Sequence, residues 1–285
     1  MAFGHCARVL IAFIAVAALA VACTRQAPGP AVKLYTLDCG RFDIADGDEF
    51  ADDGSMKGVP QTLVVPCFLI RHPAGDLLWD TGLPEALADL PDGTDSYGEH
   101  LSMRRKLASQ LAQLGLGPAD IEYVSLSHMH ADHAGNAGLF ARATWIVDKD
   151  ERDAMFSVSA RANVQAFARY SALEAARTAL IEGDANHDVF GDGTVVIHQA
   201  PGHTPGHCVL LVRLSHGALL LAGDMWHLAV SQSRRLVPRF NTDRAQTLSS
   251  MDKVEALARD SNARIVRQHV PADIAQLAGF PVPLE

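Results

Sequence analysis

Histidines are concentrated in one short segment of this chain, Ser127-His128-Met129-His130-Ala131-Asp132-His133-Ala134-Gly135-Asn136, which directly follows an apolar strand. Three imidazoles and a carboxylate are costly to bury in an apolar core without partners, and a metal ion is a partner that suits them all. In an extended turn alternate side chains point the same way, so His128 and His130 can converge on one ion while Asp132 and His133 face another. The segment therefore predicts a metal centre.

The composition of the whole chain limits the class of protein to which this segment belongs. The chain has 285 residues, of which 48% are hydrophobic and 20% charged, and it contains 13 histidines. This is an ordinary globular composition, and the absence of repeats or a second linker favours one large domain. The formal net charge is -9. Nucleic acid is excluded as a partner, because a groove that binds it needs a basic face.

The N-terminus is typical of an export signal. Arg8 precedes an apolar run over 9–21, and residues 20–22 have the small-x-small pattern of a cleavage site, which predicts a signal peptide over 1–22. Two alternatives remain open: simple secretion to the periplasm, or membrane attachment through a lipidated Cys23, as in bacterial lipoproteins. Residues 23–31 would then be a tether, and 32–285 the single folded domain.

The other cysteines form no Cys-x-x-Cys pair. If the signal peptide is removed, Cys39, Cys67 and Cys208 remain beside Cys23. Export would permit a disulfide, but a cysteine in an apolar strand, such as Cys67, is expected to be a small buried hydrophobe.

Hydrophobic patterning predicts a layered fold of mixed strands and helices, of the α/β or α+β class. Residues 62–71 and 77–79 predict a β-hairpin, and residues 99–114 predict a helix. The alanine-rich segment 150–181 predicts one or two helices, which could form a lid. The later chain predicts strands over 195–199, 209–213, 218–222 and 263–267, and a helix over 242–259.

Three more residues that can bind a metal follow predicted strands in chain order: His203 in the loop 200–207, Asp224 and His269. Together with the segment 127–136, these motifs resemble the signature of the metallo-β-lactamase superfamily. The resemblance implies a four-layer αβ/βα sandwich, in which two sheets pack together with helices outside. It also implies a one- or two-metal site at one edge.

The resemblance implies a ligand for each metal position. His128, His130 and His203 should hold the first metal, Asp132, His133 and His269 the second, and Asp224 should bridge them. Two zinc ions suit these nitrogen and oxygen donors best, with iron, cobalt and manganese as alternatives. Asp80, in Asp80-Thr81-Gly82, should support a ligand histidine, although such a residue can also be a polar turn cap. His207 is expected to stabilise its loop.

A metal pair indicates hydrolysis. Two divalent ions can share a water and lower its pKa to about 7, so the nucleophile would be a bridging hydroxide. Asp132 and Asp224 are the candidate catalytic residues, Asp132 also as a proton shuttle. Many β-lactamases lack an aspartate at the position of Asp224, whereas lactonases, thioesterases, phosphodiesterases and organophosphate hydrolases of the superfamily have one.

The chain is most similar to the N-acyl-homoserine lactonase group, in segments 65–73, 78–84 and 239–244. This similarity implies opening of the lactone ring of a small substrate. The alternatives are hydrolysis of another ester class (β-lactam, thioester, organophosphate or aryl ester) and a non-enzymatic metal-binding protein. Seven ligands for two metals leave open coordination positions, which disfavours the last. A homodimer is a further hypothesis.

The substrate side shows one departure from the lactonases. They usually place a tyrosine three residues after the bridging aspartate, whereas this chain has His227. An imidazole can donate a similar hydrogen bond to the substrate carbonyl. Phe156, Phe167 and Tyr170 in the predicted lid could line a pocket for an acyl chain, or could simply pack their helices together.

Overall fold

The structure is a computed structural model that describes residues 1, 4, 31–96 and 98–285. Apart from residues 1 and 4, the predicted signal peptide lies outside the described residues, as do Cys23 and all but the last residue of the predicted tether. Within the described ranges, no helix combines the length and the apolar character of a membrane span.

Eight strands form the first sheet, in the order β4-β5-β1-β2-β3-β6-β7-β8. Their bounds are β1 Lys33–Ile44, β2 Gln61–His72, β3 Gly75–Trp79, β4 Thr94–Ser96, β5 Glu99–Ser102, β6 Tyr123–Ser125, β7 Thr144–Asp148 and β8 Thr178–Ile181. The predicted hairpin is confirmed, because β2 and β3 pair antiparallel across a short turn at 73–74. Strands β3, β6, β7 and β8 run parallel to one another.

The other sheet has five strands in the order β13-β12-β11-β10-β9. Their bounds are β9 His187–Asp188, β10 Val195–Gln199, β11 Cys208–Leu214, β12 Gly217–Leu221 and β13 Ala263–Val266. Strands β9 to β12 pair antiparallel in chain order, and β13 joins β12 in parallel. All four strands predicted for the later chain are thereby confirmed.

Eight α-helices are described, most of them short. They are α1 Leu107–Gln113, α2 Ala131–Ala134, α3 Lys149–Met155, α4 Val158–Ala162, α5 Val164–Ala168, α6 Ser231–Arg234, α7 Arg244–Asp260 and α8 Pro271–Ile274. Only α7 is long, and it begins where the Asp243 carboxylate accepts the Gln246 N–H as an N-cap. It confirms the helix predicted for 242–259.

The apolar side chains pack between four layers of helices and sheets. Alternate residues of β2 face opposite sides, so Phe68 and Ile70 pack between the sheets against residues such as Leu210 and Leu221. Leu69 faces the other way, toward Leu107 of α1. Strands β11 and β12 use their outer faces to pack against α7. Helix, sheet, sheet and helix therefore follow one another, which confirms the four-layer αβ/βα sandwich.

The layering gathers several strand ends at one edge. Strands β3 and β6 are parallel, as are β12 and β13, so within each pair the carboxyl ends lie side by side. The residues that follow these four ends are Asp80, the segment 127–136, Asp224 and His269. Residues far apart in sequence therefore lie at one edge of the sandwich.

The predicted helix over 99–114 is wrong in its first half. Glu99–Ser102 is strand β5, which pairs antiparallel with β1, and only Leu107–Gln113 is helical. Leu101 belongs to the alternating pattern of the strand, while Leu107 and Leu111 form the buried face of the helix. The apolar spacing predicted one helix, but residues 103–106 separate a strand from a helix.

The segment 150–181 is also more divided than predicted. It contains α3, α4, α5, a 3-10 turn at Ser171–Ala175 and strand β8. Ser157 and Asn163 interrupt the helix because their side chains accept the N–H groups of Ala160 and Ala166 and so begin new helices. The segment ends in strand β8, because residues 178–181 pair in parallel with β7.

The expectation for Cys67 is wrong in one respect. It lies in an apolar strand and is buried, as expected, but it forms a disulfide with Cys39 on the neighbouring strand β1. Strand pairing places Cys67 opposite Leu37, two residues from Cys39, and brings the two sulfur atoms together. Cys208 is buried and free.

Candidate metal centre and adjoining cavity

Four ligand-type side chains converge in a first group. His128, His130, His203 and Asp224 place one donor atom each within 4.8 Å of all the others. His128 Nε2 lies 2.9 Å from His130 Nδ1, which in turn lies 3.0 Å from His203 Nε2. This is the set predicted for the first metal, together with the predicted bridge.

Asp132, His133 and His269 form a second group, again with donor atoms within 4.8 Å of one another. His133 Nε2 lies 3.2 Å from His269 Nε2. The Asp132 Oδ2 atom is 3.5 Å from each of these nitrogens. The Asp132 side chain is 15% exposed, which makes it more accessible than its two imidazole neighbours.

The Asp224 carboxylate lies between the two groups. Its Oδ2 atom is 3.2 Å from His203 Nε2 and 3.4 Å from His128 Nε2. Its Oδ1 atom is 2.8 Å from His269 Nε2 and 3.1 Å from His133 Nε2. One oxygen thus faces each group, which is the geometry of a bridging ligand.

The donor set fits two divalent cations. Ring nitrogens that face one another at about 3 Å, inside a largely buried cluster, need a shared partner because two lone pairs repel. Five imidazoles and two carboxylates suit zinc and similar first-row metals. The structure therefore supports a two-metal centre in which the first and second groups each hold one ion.

Burial keeps His128 and His130 neutral, as metal ligation requires. It lowers the pKa of His130 to about 3, with the neighbouring His203 contributing, and it lowers the pKa of His128 well below its usual range. Burial alone would raise the pKa of Asp224, but the surrounding imidazoles, His227 first, hold it well below the usual value. Asp224 is therefore a carboxylate that can bridge two cations.

Asp80, predicted to support a ligand histidine, lies beside the second group. Its Oδ2 atom lies 3.0 Å from His133 Nδ1, and its Oδ1 accepts the Ser127 N–H at 2.6 Å. Gln268, beside the ligand His269, donates to the same carboxylate at 2.9 Å. Asp80 has φ of +59° in this tight turn. One fully buried carboxylate thus joins two ligand-bearing segments, 127–136 and 268–269, and orients the His133 ring.

His207 holds the bridging residue rather than a metal. Its Nδ1 lies 3.1 Å from the Ala200 carbonyl oxygen, and its Nε2 accepts the Asp224 N–H at 3.0 Å. Burial lowers the pKa of His207 to about 3, so the ring is neutral and has one donor and one acceptor nitrogen. It stabilises its loop, as predicted, and it also fixes the backbone of Asp224.

Glu151 is a positioning residue that sequence reasoning missed. Its carboxylate is buried, accepts the Met129 N–H at 2.7 Å through Oε1, and accepts the Gly206 N–H at 2.9 Å through Oε2. The first bond reaches the segment of His128 and His130, and the other reaches the loop of His203. Helix α3 around Glu151 is mostly charged and carries no local signal for this role, because both partners are distant in sequence.

A cavity of about 390 Å³ opens onto the centre. On its metal side lie His130, Ala131, Asp132, Asp224, His227 and His269, and on its outer side Phe42, Phe50, Leu63, Glu99 and Phe240. The outer residues come from β1, β2, β5 and loops, and sequence reasoning missed all five. Only Phe240 lay in a segment already linked to lactonases.

His227 lies at the inner end of this cavity. Its Nε2 atom is 2.9 Å from Asp224 Oδ2, yet no described residue forms a well-directed hydrogen bond with it. Phe50 and Phe240 flank the ring, with centroids at 5.4 and 5.7 Å. The imidazole is thus adjacent to the metal centre and faces the cavity.

Phe156, Phe167 and Tyr170 do not line this cavity. They pack against one another in T-shaped pairs with centroids 5.6–6.0 Å apart, and Phe156 also contacts Trp145. All three belong to the core on the helix side of the first sheet. The structure thus favours the packing interpretation over an acyl-chain pocket.

Comparison with known proteins agrees with the geometry. A family model described as the metallo-beta-lactamase superfamily matches residues 61–269. The chain belongs to this superfamily. Both metal groups of the structure lie within or at the end of the matched range.

The relatives found include several lactonases. The N-acyl homoserine lactonase AttM of Agrobacterium fabrum is 32% identical over 248 residues, covering 84% of this chain and 94% of the relative. The N-acyl homoserine lactonase of Bacillus cereus is 27% identical and covers 88% and 96%. A solved structure of a Bacillus thuringiensis AiiA variant with N-decanoyl-L-homoserine at its active site has 25% identity and a TM-score of 0.74, covering 88% and 98%.

Replacement of Glu151 tests its positioning role. Glu151→Ala leaves two buried N–H groups unpaired, so we expect a loss of about 2–5 kcal/mol in the free energy of unfolding and weaker zinc binding. Urea unfolding and competition with a chromophoric chelator measure the two effects. Glu174→Ala, which removes a carboxylate from an exposed ion pair, is the control. Unchanged zinc affinity in Glu151→Ala would contradict the role.

Proposed function

We propose that this protein is a two-metal hydrolase that opens the lactone ring of N-acyl-homoserine lactones. The observation that carries the proposal is the Asp224 carboxylate, which faces both ligand groups at the end of a cavity with an apolar outer wall. The similarity to lactonases over most of the chain supports this substrate class.

Each part of the site has a task in this reaction. Two bound divalent ions supply a water-derived nucleophile and polarise the substrate carbonyl. Asp224 holds both groups at a fixed separation. Asp132, which is the more exposed carboxylate and lines the cavity, can take up and return the proton that must reach the ring oxygen as the ester bond breaks.

His227 is proposed to bind the substrate carbonyl. Its ring faces the cavity and its Nε2 makes no well-directed hydrogen bond to any residue that the structure describes, so it is available to donate to a substrate oxygen. A donor aimed at an oxygen that gains negative charge lowers the barrier to attack. Histidine would thus replace the tyrosine usual in lactonases.

Zinc is the metal proposed for both groups. Five imidazoles and two carboxylates give more nitrogen than a magnesium or calcium site uses, and zinc accepts both donor types with open positions for water and substrate.

Removal of the bridging carboxylate should abolish turnover. Zinc-loaded protein should release acid from N-hexanoyl homoserine lactone and lose this activity on chelation, and Asp224→Ala should reduce it below detection because neither metal keeps its shared ligand. A pH-stat assay measures the acid. Asp252→Ala, on the exposed side of α7, should retain activity.

Two results would redirect the proposal. Turnover of a β-lactam, thioester or aryl ester with none of the lactone would favour another ester class. Full lactonase activity in Asp224→Ala would contradict the two-metal mechanism.

Replacement of His227 tests whether this residue acts as a hydrogen-bond donor or only packs in the cavity. His227→Phe should lower kcat on the same lactone by about 100-fold because the donor is lost, whereas His227→Tyr should retain most of it. Steady-state kinetics measure kcat and KM, and metal analysis verifies that both variants hold two ions. A fully loaded His227→Phe with unchanged kcat would argue against the role.

We also propose that the protein is exported, either free in the periplasm or attached to a membrane through Cys23. The Cys39–Cys67 disulfide supports this, because disulfides form and persist in oxidising compartments.

Expression of the full chain in a bacterial host tests export. The protein should be recovered outside the cytoplasm with Cys39 and Cys67 oxidised, and reduction should lower its free energy of unfolding by about 2–4 kcal/mol. A shift of Cys23→Ser from the membrane to the soluble fraction would indicate the lipid anchor. Cys208→Ala is the control for thiol effects, and recovery with the cytoplasmic proteins would refute export.

A further inference from the structure

Glu99 places a carboxylate beside an apolar part of the first sheet. It lies in β5 and pairs with Ile44 of β1, while the neighbouring pair on the same face is Leu101 with Phe42. Phe42 also pairs with Leu63 of β2. Alternation along β5 directs His100 to the opposite face. On its other side Glu99 pairs with Ser96 of β4, so this charged residue has apolar side chains on the β1 side only.

This carboxylate is a wall of the cavity beside the metal centre, and it is half-buried. Among the described residues, no hydrogen bond or ion pair satisfies its oxygens, although burial of a carboxyl group without a partner is unfavourable. Burial and the nearby carboxylate of Asp132 raise the pKa of Glu99 to about 7. In both protonation states the group retains an oxygen that can accept a hydrogen bond.

We propose that Glu99 accepts a hydrogen bond from the amide N–H of the substrate and so selects acylamino lactones over lactones that lack an amide. The inference rests on the proposed function and names the part of the substrate that this wall recognises. Glu99 is then a specificity-determining residue that contacts the substrate away from the bond that breaks.

The composition of the wall favours a neutral amide over a free amine. Phe42, Phe50 and Leu63 adjoin Glu99 and provide apolar surface for a hydrocarbon chain. An acylamino lactone has one N–H between its ring and its chain, so one acceptor between the metal centre and an apolar surface matches it. An unacylated amino lactone would leave the apolar surface uncovered.

A comparison of two substrates tests the inference. Wild type, Glu99→Gln and Glu99→Leu are assayed on N-hexanoyl homoserine lactone and on an alkyl γ-lactone that has no amide. Glu99→Leu should lower kcat/KM for the acylamino lactone by about 10-fold, mainly through KM, and leave the alkyl lactone unchanged or improved. Glu99→Gln, which keeps an acceptor oxygen, should remain within about threefold of wild type.

Stability provides a second measurement. Because the side chains on the β1 and β2 side are apolar, Glu99→Leu should fold and unfold at a higher urea concentration than wild type, whereas replacement of a residue with a purely structural role would lower stability. Glu49→Leu, which removes an exposed carboxylate near Glu99, is the control and should not change the ratio of the two activities.

The outcomes distinguish the inference from the proposed function. If wild type hydrolyses both lactones and Glu99→Leu changes them equally or not at all, the inference is wrong and the lactonase proposal stands. If zinc-loaded wild type hydrolyses neither lactone, the proposed function is overturned, and the inference with it.

Discussion

The arrangement of this molecule depends on a single buried carboxylate, Asp224, placed between two groups of imidazoles. The five predicted histidine ligands come from segments that range over 128–269, and without compensation so many ring nitrogens would repel one another. Oxygen atoms of one carboxylate face both groups at 2.8–3.4 Å, which makes them parts of one centre. The parallel strand pairs β3–β6 and β12–β13 serve this centre because their neighbouring ends carry candidate ligands and the supporting Asp80.

Around this centre, three buried polar side chains join the ligand-bearing loops. Asp80 joins the segments of His133 and His269, Glu151 joins those of His130 and His203, and His207 holds the backbone of Asp224. Each lies inside the sandwich, where a hydrogen bond is strong and its loss is costly. The ligand geometry is therefore a property of the folded interior and not of the loops alone.

The cavity wall is assembled differently from the metal centre. Its outer wall consists of single residues from β1, β2, β5 and two loops, and none of them lies in a metal-ligand motif. Such positions can change without disturbing the ligands, which is how one hydrolytic centre can serve different ester classes. Glu99 is the polar residue of this outer wall, and His227 is a second polar group at the inner end of the cavity.

Sequence by itself predicted the residues that converge in the two ligand-type groups and the four-layer fold, because these depend on residue types at fixed spacings that few other structures require. It also located most strands, since alternation and apolar runs are local signals. It failed where distant pairing overrides local pattern: Glu99–Ser102 is a strand because β1 pairs with it, and 178–181 because β7 does. Only the tertiary structure decided the Cys39–Cys67 disulfide, the role of Glu151, the contact of His207 with the Asp224 backbone, and the cavity wall, because each joins residues that no local spacing relates.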